Sequence, residues 1–110
     1  MRSVVDGDGR DADEPNGLAD LTAFQRDILR YLARDDHSKG TAIRRGLEDY
    51  YGVDVNHGRL YPSLDQLVEK GFVAKSKRNR RTNDYALTDA ARDTLAEYDA
   101  WADGDSEGDA

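Results

Sequence analysis

Apolar residues recur along most of this chain every three or four positions, and two short apolar runs interrupt that rhythm after residue 71. Leu21, Phe24, Ile28 and Leu32 carry the spacing of one helix face. Thr22 and Gln25 fit a capping box, in which hydroxyl and amide satisfy each other's backbone donors, so the first helix should start near Thr22. Arg26, Arg30 and Arg34 fall on another face, and Asp35-Asp36-His37-Ser38 is a polar break. Ile43, Leu47 and Tyr50 or Tyr51 predict a second helix from about Lys39 to Tyr51, with Gly52 as a left-handed stop. Gly46 lies inside it at a cost of about 1 kcal/mol against Ala, which is tolerated where a neighbouring helix comes close.

Val53-Asp54-Val55 predicts a short extended piece, and Asn56 is a good N-cap. A third helix, His57 to Lys70, then buries Leu60, Leu64, Leu67 and Val68 and stops at Gly71. Pro62 removes one donor inside it and predicts a kink or a loosened first turn. An apolar strand, Phe72 to Lys75, a basic turn and a second strand, Tyr85 to Leu87, follow. Thr88 caps a fourth helix, with Asp89 favourable in its first turn. Its stripe of Ala91, Leu95, Tyr98 and Trp101 or Ala102 is expected to leave the compact domain, and a second copy of the chain is the simplest cover. The expected organisation is a disordered acidic arm (1–18), a compact domain (19–88), a dimerisation helix (89–102) and a disordered acidic tail (103–110).

Charge sharpens this picture. The 110 residues carry a net −7. Residues 1–20 hold six acids and two bases, and residues 93–110 hold seven acids and no base, so residues 21–92 are left at +4. The whole-chain balance argues against a nucleic-acid partner and the middle argues for one. Asp outnumbers Glu and Arg outnumbers Lys, as expected of a protein adapted to concentrated intracellular salt, where short carboxylates hold water and cations. The plainer alternative is an ordinary protein with acidic tails. Without cysteine, disulfides, thiol catalysis and thiol sensing are excluded. Met1 is the only methionine. No apolar run reaches membrane-spanning length or resembles a signal peptide, so the expected compartment is the cytoplasm.

An amphipathic helix, a hairpin and a cationic tip, in that order, form the DNA-contacting half of a winged helix-turn-helix. The fold class is therefore mainly α with a small β-hairpin. On the third helix, Asn56, His57, Arg59, Tyr61, Ser63 and Gln66 are candidate DNA contacts. Arg59 suits a guanine edge or a phosphate, and Tyr61 divides between core packing and a phosphate contact. Lys75, Lys77, Arg78, Arg80 and Arg81 give the wing five bases and no acid. Arginine suits a narrow minor groove. Asn79 and Asn83 serve turn geometry, since Asn tolerates positive φ. Tyr98 and Trp101 fit dimer packing better than an aromatic ligand cage. His37 and His57 lack metal-site spacing, His37 fits a solvent-exposed side chain, and no catalytic constellation is visible. No cofactor is expected beyond weakly bound cations, for which Asp54, Asp65 and Asp84 are candidates.

The stretch from Gly46-Leu47 through Gly58, Leu60-Tyr61-Pro62, Leu64, Leu67, Glu69, Gly71 and Phe72-Val73, with Tyr85, Leu87-Thr88, Ala91 and Leu95 after it, resembles the PadR-like family of winged-helix transcription regulators. The resemblance covers roughly residues 21–101. It implies a homodimer joined through terminal helices, with the third helix in the major groove and the wing beside it. The acidic composition and short last helix resemble regulators of halophilic archaea, an oxidative-stress regulator among them. The long C-terminal helical extensions of many members are not seen in this sequence, so a ligand pocket of the kind those extensions build is not expected. The function expected is a homodimeric, sequence-specific regulator on a pseudo-palindromic operator, a repressor working in high salt. A protein-interaction module that binds an acidic partner, and a non-specific architectural DNA binder, are the alternatives.

Overall fold

The computed structural model describes residues 15–104; residues 1–14 and 105–110 of the expected arm and tail lie outside it. Thr22 caps α1 (Ala23–Arg34), and both halves of the capping box form. His37 then takes a φ of 60°. The turn delivers Ser38 and Lys39 as a two-residue strand, β1. α2 (Gly40–Tyr51) ends on Gly52 at φ 76°. Asn56 accepts the Gly58 N–H and starts α3 (His57–Glu69). The hairpin is β2 (Val73–Lys77) and β3 (Asn83–Leu87), and Thr88 caps α4 (Asp89–Asp103).

The three strands are antiparallel in the order β1-β3-β2. Ser38 pairs with Tyr85, and Val73 pairs with Leu87. The polar break after α1 is thus part of the sheet. A two-residue bridge has no periodicity of its own. Conversely, Val53–Val55 forms no strand: Val55 is buried and gives its N–H to the Glu48 carboxylate at 2.8 Å.

The core is one cluster. Ile28, Leu29 and Leu32 of α1, Ile43 of α2 and Leu60, Leu64 and Leu67 of α3 are fully buried, with Phe72, Val73, Tyr85 and Leu87 completing it from the sheet side. Each such side chain contributes about 1.5–3 kcal/mol through burial. α3 ends as expected at Gly71 (φ 84°). The Phe72 and Gly71 N–H groups return to the Leu67 and Val68 carbonyls, a paired closure that needs the left-handed residue. Pro62 is accommodated within α3, where the hydrogen bond it forgoes is that to the Gly58 carbonyl on an exposed turn.

Two expectations are corrected at the ends. Pro15–Asp20 forms a 3-10 turn that puts Leu18 into the core, so the irregular arm does not reach residue 18. The Leu18 carbonyl accepts from the Leu21 N–H at 3.1 Å, which turns the chain into α1. α4 does not leave the domain at once, and it runs through Asp103 to a Gly104 cap. Ala91 and Leu95 are buried in the chain's own core, because the 3-10 turn and β3 lie against the helix. Only the end of the stripe stays open.

Gly46 confirms the close-approach reading. The Tyr31 ring occupies the space a Cβ would need. Gly46→Ala is therefore expected to destabilise the chain by about 1–3 kcal/mol despite its better helix propensity, as measured by denaturant unfolding in concentrated salt. An unchanged or raised midpoint would show that Tyr31 moves aside freely.

Candidate nucleic-acid interface

α3 turns Leu60, Leu64 and Leu67 inward. At about 100° per residue the opposite side carries Gly58, Pro62, Asp65 and Glu69, all exposed. Its first half is thus small and uncharged, where a polyanion can approach the backbone, and its second half is acidic. The expected contact residues flank this face. Towards α1, the Arg59 guanidinium lies 4.0 Å over the Phe24 ring. Gln66 accepts from the buried Gln25 amide at 2.7 Å, which fastens α3 to α1. Towards α2, the His57 ring stands edge-on to Tyr61 at 5.9 Å and touches the Arg44 guanidinium. Tyr61 is half-buried against the core, with its ring over Gly40, where a Cβ would come within 2.7 Å of a ring carbon. Asn56 spends its side chain on the cap, and Ser63 is half-buried.

The wing divides in the same way. Arg78 is a strut. Its guanidinium donates to Asp84 at 2.5 Å and to the His37 carbonyl at 2.8 Å. Lys75 faces Asp65 of α3 at 3.6 Å, which ties the wing to the helix. Lys77, Arg80 and Arg81 are exposed and make no ion pair among the described residues. Asn79 shapes the tip through its side-chain oxygen, which accepts the Arg81 and Thr82 N–H groups at 3.0 Å each. It does so without a positive φ, contrary to the reason expected. Asn83 opens β3.

Asp84 is nine-tenths buried in the central strand. Arg78 donates to one oxygen, and His37 meets the other at 2.8 Å. These bonds, that from Arg78 foremost, hold its carboxyl below the usual range. Asp84 and Asp65 are therefore spent on protein cations, which leaves Asp54 of the three expected cation holders. Of the expected dimer stripe, Ala91 and Leu95 are covered, Tyr98 is half-buried, and Trp101 is two-thirds exposed. The Tyr98 and Trp101 ring centroids are 5.9 Å apart, and the guanidinium of Arg30, paired with Asp99, lies 5.9 Å from the Tyr98 ring centroid.

The arrangement is a winged helix, and the residues that build it are those a family model recognises. Residues 28–97 match the Transcriptional regulator PadR-like family. The chain belongs to that family. It is also similar to RosR of Halobacterium salinarum. In the RosR-S1 complex the identity is 52% over 76% of this chain and 74% of that one, at a TM-score of 0.74. In the RosR-S4 complex it is 50% over 84% and 77%, at 0.77. Reduced AbfR bound to DNA shares the fold alone, at 19% identity over 81% of this chain and 59% of that one, with a TM-score of 0.65. No curated protein sequence matches the chain. Family and structural neighbours are regulators, and no helix among the described residues is long and apolar enough to cross a membrane.

Two features of this PadR-like surface escaped the sequence reading. Arg44 of α2 stands at the start of α3. Its Nε donates to Glu48 at 3.2 Å, and the same Glu48 oxygen accepts the Val55 N–H. That backbone bond, foremost, holds the Glu48 carboxyl below its ordinary range. The second is the division of wing bases into struts and free cations, since Arg78 and Arg80 differ only in their neighbours.

Asp84→Asn keeps the shape and removes the charge that Arg78 requires. A depressed carboxyl stabilises the fold fully above the ordinary carboxylate pKa of about 3.9, and that stabilisation is lost as pH falls through the folded value. The variant is expected to lose about 1–2 kcal/mol at neutral pH, with the gap to the parent closing below about pH 4. Urea melts at several pH values check this; a gap constant with pH would remove Asp84 as the cause.

Proposed function

We propose that this PadR-like regulator binds duplex DNA as a homodimer, with the first half of α3 in the major groove and the wing tip in the minor groove. The observation that carries the reading is the union of α3 and the wing through Lys75 and Asp65, with Lys77, Arg80 and Arg81 left free at the tip. Arg59 serves as the base reader. Stacked on Phe24, its guanidinium keeps its N–H edge available for a guanine. A second copy covers Trp101 and Tyr98, and the two α3 helices then fall about 34 Å apart, one turn of a pseudo-palindromic duplex. On a promoter such a footprint blocks access, the action of a repressor.

The medium is concentrated salt. The excess of Asp and the half-identical halophile relative support this. At about 1 M salt the screening length is only about 3 Å, so affinity rests on direct contacts and fitted surfaces. The salt dependence of binding should accordingly be shallow or inverted, in contrast to the steep loss that counterion release imposes on most DNA-binding proteins.

Arg59→Ala is expected to lower discrimination between preferred and scrambled duplexes by about 1–3 kcal/mol. Arg80→Ala with Arg81→Ala should weaken binding to every sequence. Fluorescence anisotropy with promoter fragments in molar potassium chloride reads both. Equal, sequence-blind losses would remove Arg59 as a reader, and no duplex binding by the parent chain would favour a protein-interaction module.

A further inference from the structure

We infer that Arg44, together with His57, forms a second phosphate site on the α2 flank of α3, across that helix from its α1-facing flank. The inference rests on the DNA-binding reading above and adds a contact that reading does not contain. Arg44 lies within α2 and His57 is the first residue of α3. Thirteen positions apart in the chain, they meet through the Arg44 Nη1 and the His57 Nε2. A guanidinium has only donors, so the imidazole nitrogen it meets is the acceptor of that contact. The Nε of Arg44 is paired with Glu48, and its Nη1 stands at the opening of α3, beside the end of the helix dipole that favours anions.

Three contacts aim this group. Glu48 holds the Arg44 Nε at 3.2 Å, which leaves the Nη nitrogens directed away from α2. Glu48 itself is fixed by the Val55 N–H at 2.8 Å, so the α2–α3 turn and Arg44 move together. Tyr61 stands edge-on to His57 and lies over Gly40 at the start of α2, which sets the spacing of the two helices. Both Arg44 and His57 reach solvent. A phosphate oxygen entering there accepts from the Arg44 Nη groups and displaces the contact to His57, whose ring turns its N–H to the same anion. A fixed, bidentate donor of this kind suits a phosphate better than a base edge, because it stands at the side of α3 and not on its outward face.

The test pairs protein and DNA substitutions, using the full chain and a duplex selected by it from random sequences. Single phosphates along the duplex are replaced, one at a time, by neutral methylphosphonates, and binding of the parent is compared with Arg44→Ala and Arg44→Lys. One methylphosphonate near the edge of each half-site should weaken the parent about tenfold and have no effect on Arg44→Ala. Arg44→Lys should keep part of that penalty, and preference among sequences should be unchanged in both variants. If every penalty seen with the parent persists in Arg44→Ala, Arg44 acts only by bracing the α2–α3 turn and the inference is overturned. If Arg44→Ala changes which sequence is preferred, the group reads bases and the inference is likewise overturned. Loss of all duplex binding by the parent would instead refute the DNA-binding reading itself.

Discussion

Asp84 sits in the middle strand of a three-stranded sheet, with its carboxylate withdrawn from water. A charge in that position is costly unless its oxygens are fully bonded. The fold meets the demand with two groups from outside β3: Arg78 at the base of the wing tip and His37 in the turn before β1. Arg78 reaches on to the His37 carbonyl, so the three residues close a ring. β1 is only two residues long and has little ladder of its own. The ring therefore fixes the wing to the helical body at a place where backbone pairing alone is weak. Everything proposed for the surface assumes a wing held at one angle to α3, and that angle depends on Asp84 and on the Lys75–Asp65 pair.

The helices were legible because their signals are local. Thr22, Asn56 and Thr88 cap where a short polar side chain precedes an apolar run. Gly52 and Gly71 take the left-handed turns their positions implied. Gly46 was readable as a contact point, though not that Tyr31 is what it meets. Features that depend on partners distant in sequence were not legible. Ser38 and Lys39 look like loop until Tyr85 and Asp84 are placed beside them. Leu18 is a single leucine in an Asp- and Gly-rich stretch, and nothing local marks it as core. Ala91 and Leu95 carry the stripe of an uncovered helix, and only the returning 3-10 turn shows that half of it is already covered.

The candidate surface shows the same limit in another form. Sequence supplies charge but not occupancy. Five bases in the wing look equivalent, yet one is a strut and one is paired across to α3. Six polar residues of α3 look available, yet Asn56 is a cap and Gln66 a fastening. What survives is a smaller set of free donors than the composition advertises: Arg59 on α3 and Lys77, Arg80 and Arg81 on the wing, with Arg44 and His57 set against each other beside them.

A small set of free cations is consistent with the rest of the chain. A protein that worked in dilute salt with a net charge of −7 would need a broad basic field to overcome its own repulsion from a polyanion. At a screening length of about 3 Å, a field of that kind reaches no farther than the first contact. The acidic ends then cost little in affinity, while their hydration keeps the chain dispersed. Selection under those conditions falls on how well each donor is aimed. The bracing seen here, Phe24 under Arg59 and Glu48 behind Arg44, is what such selection would retain. In the proposed high-salt medium, the acidic composition and the sparse, buttressed basic surface have one physical cause.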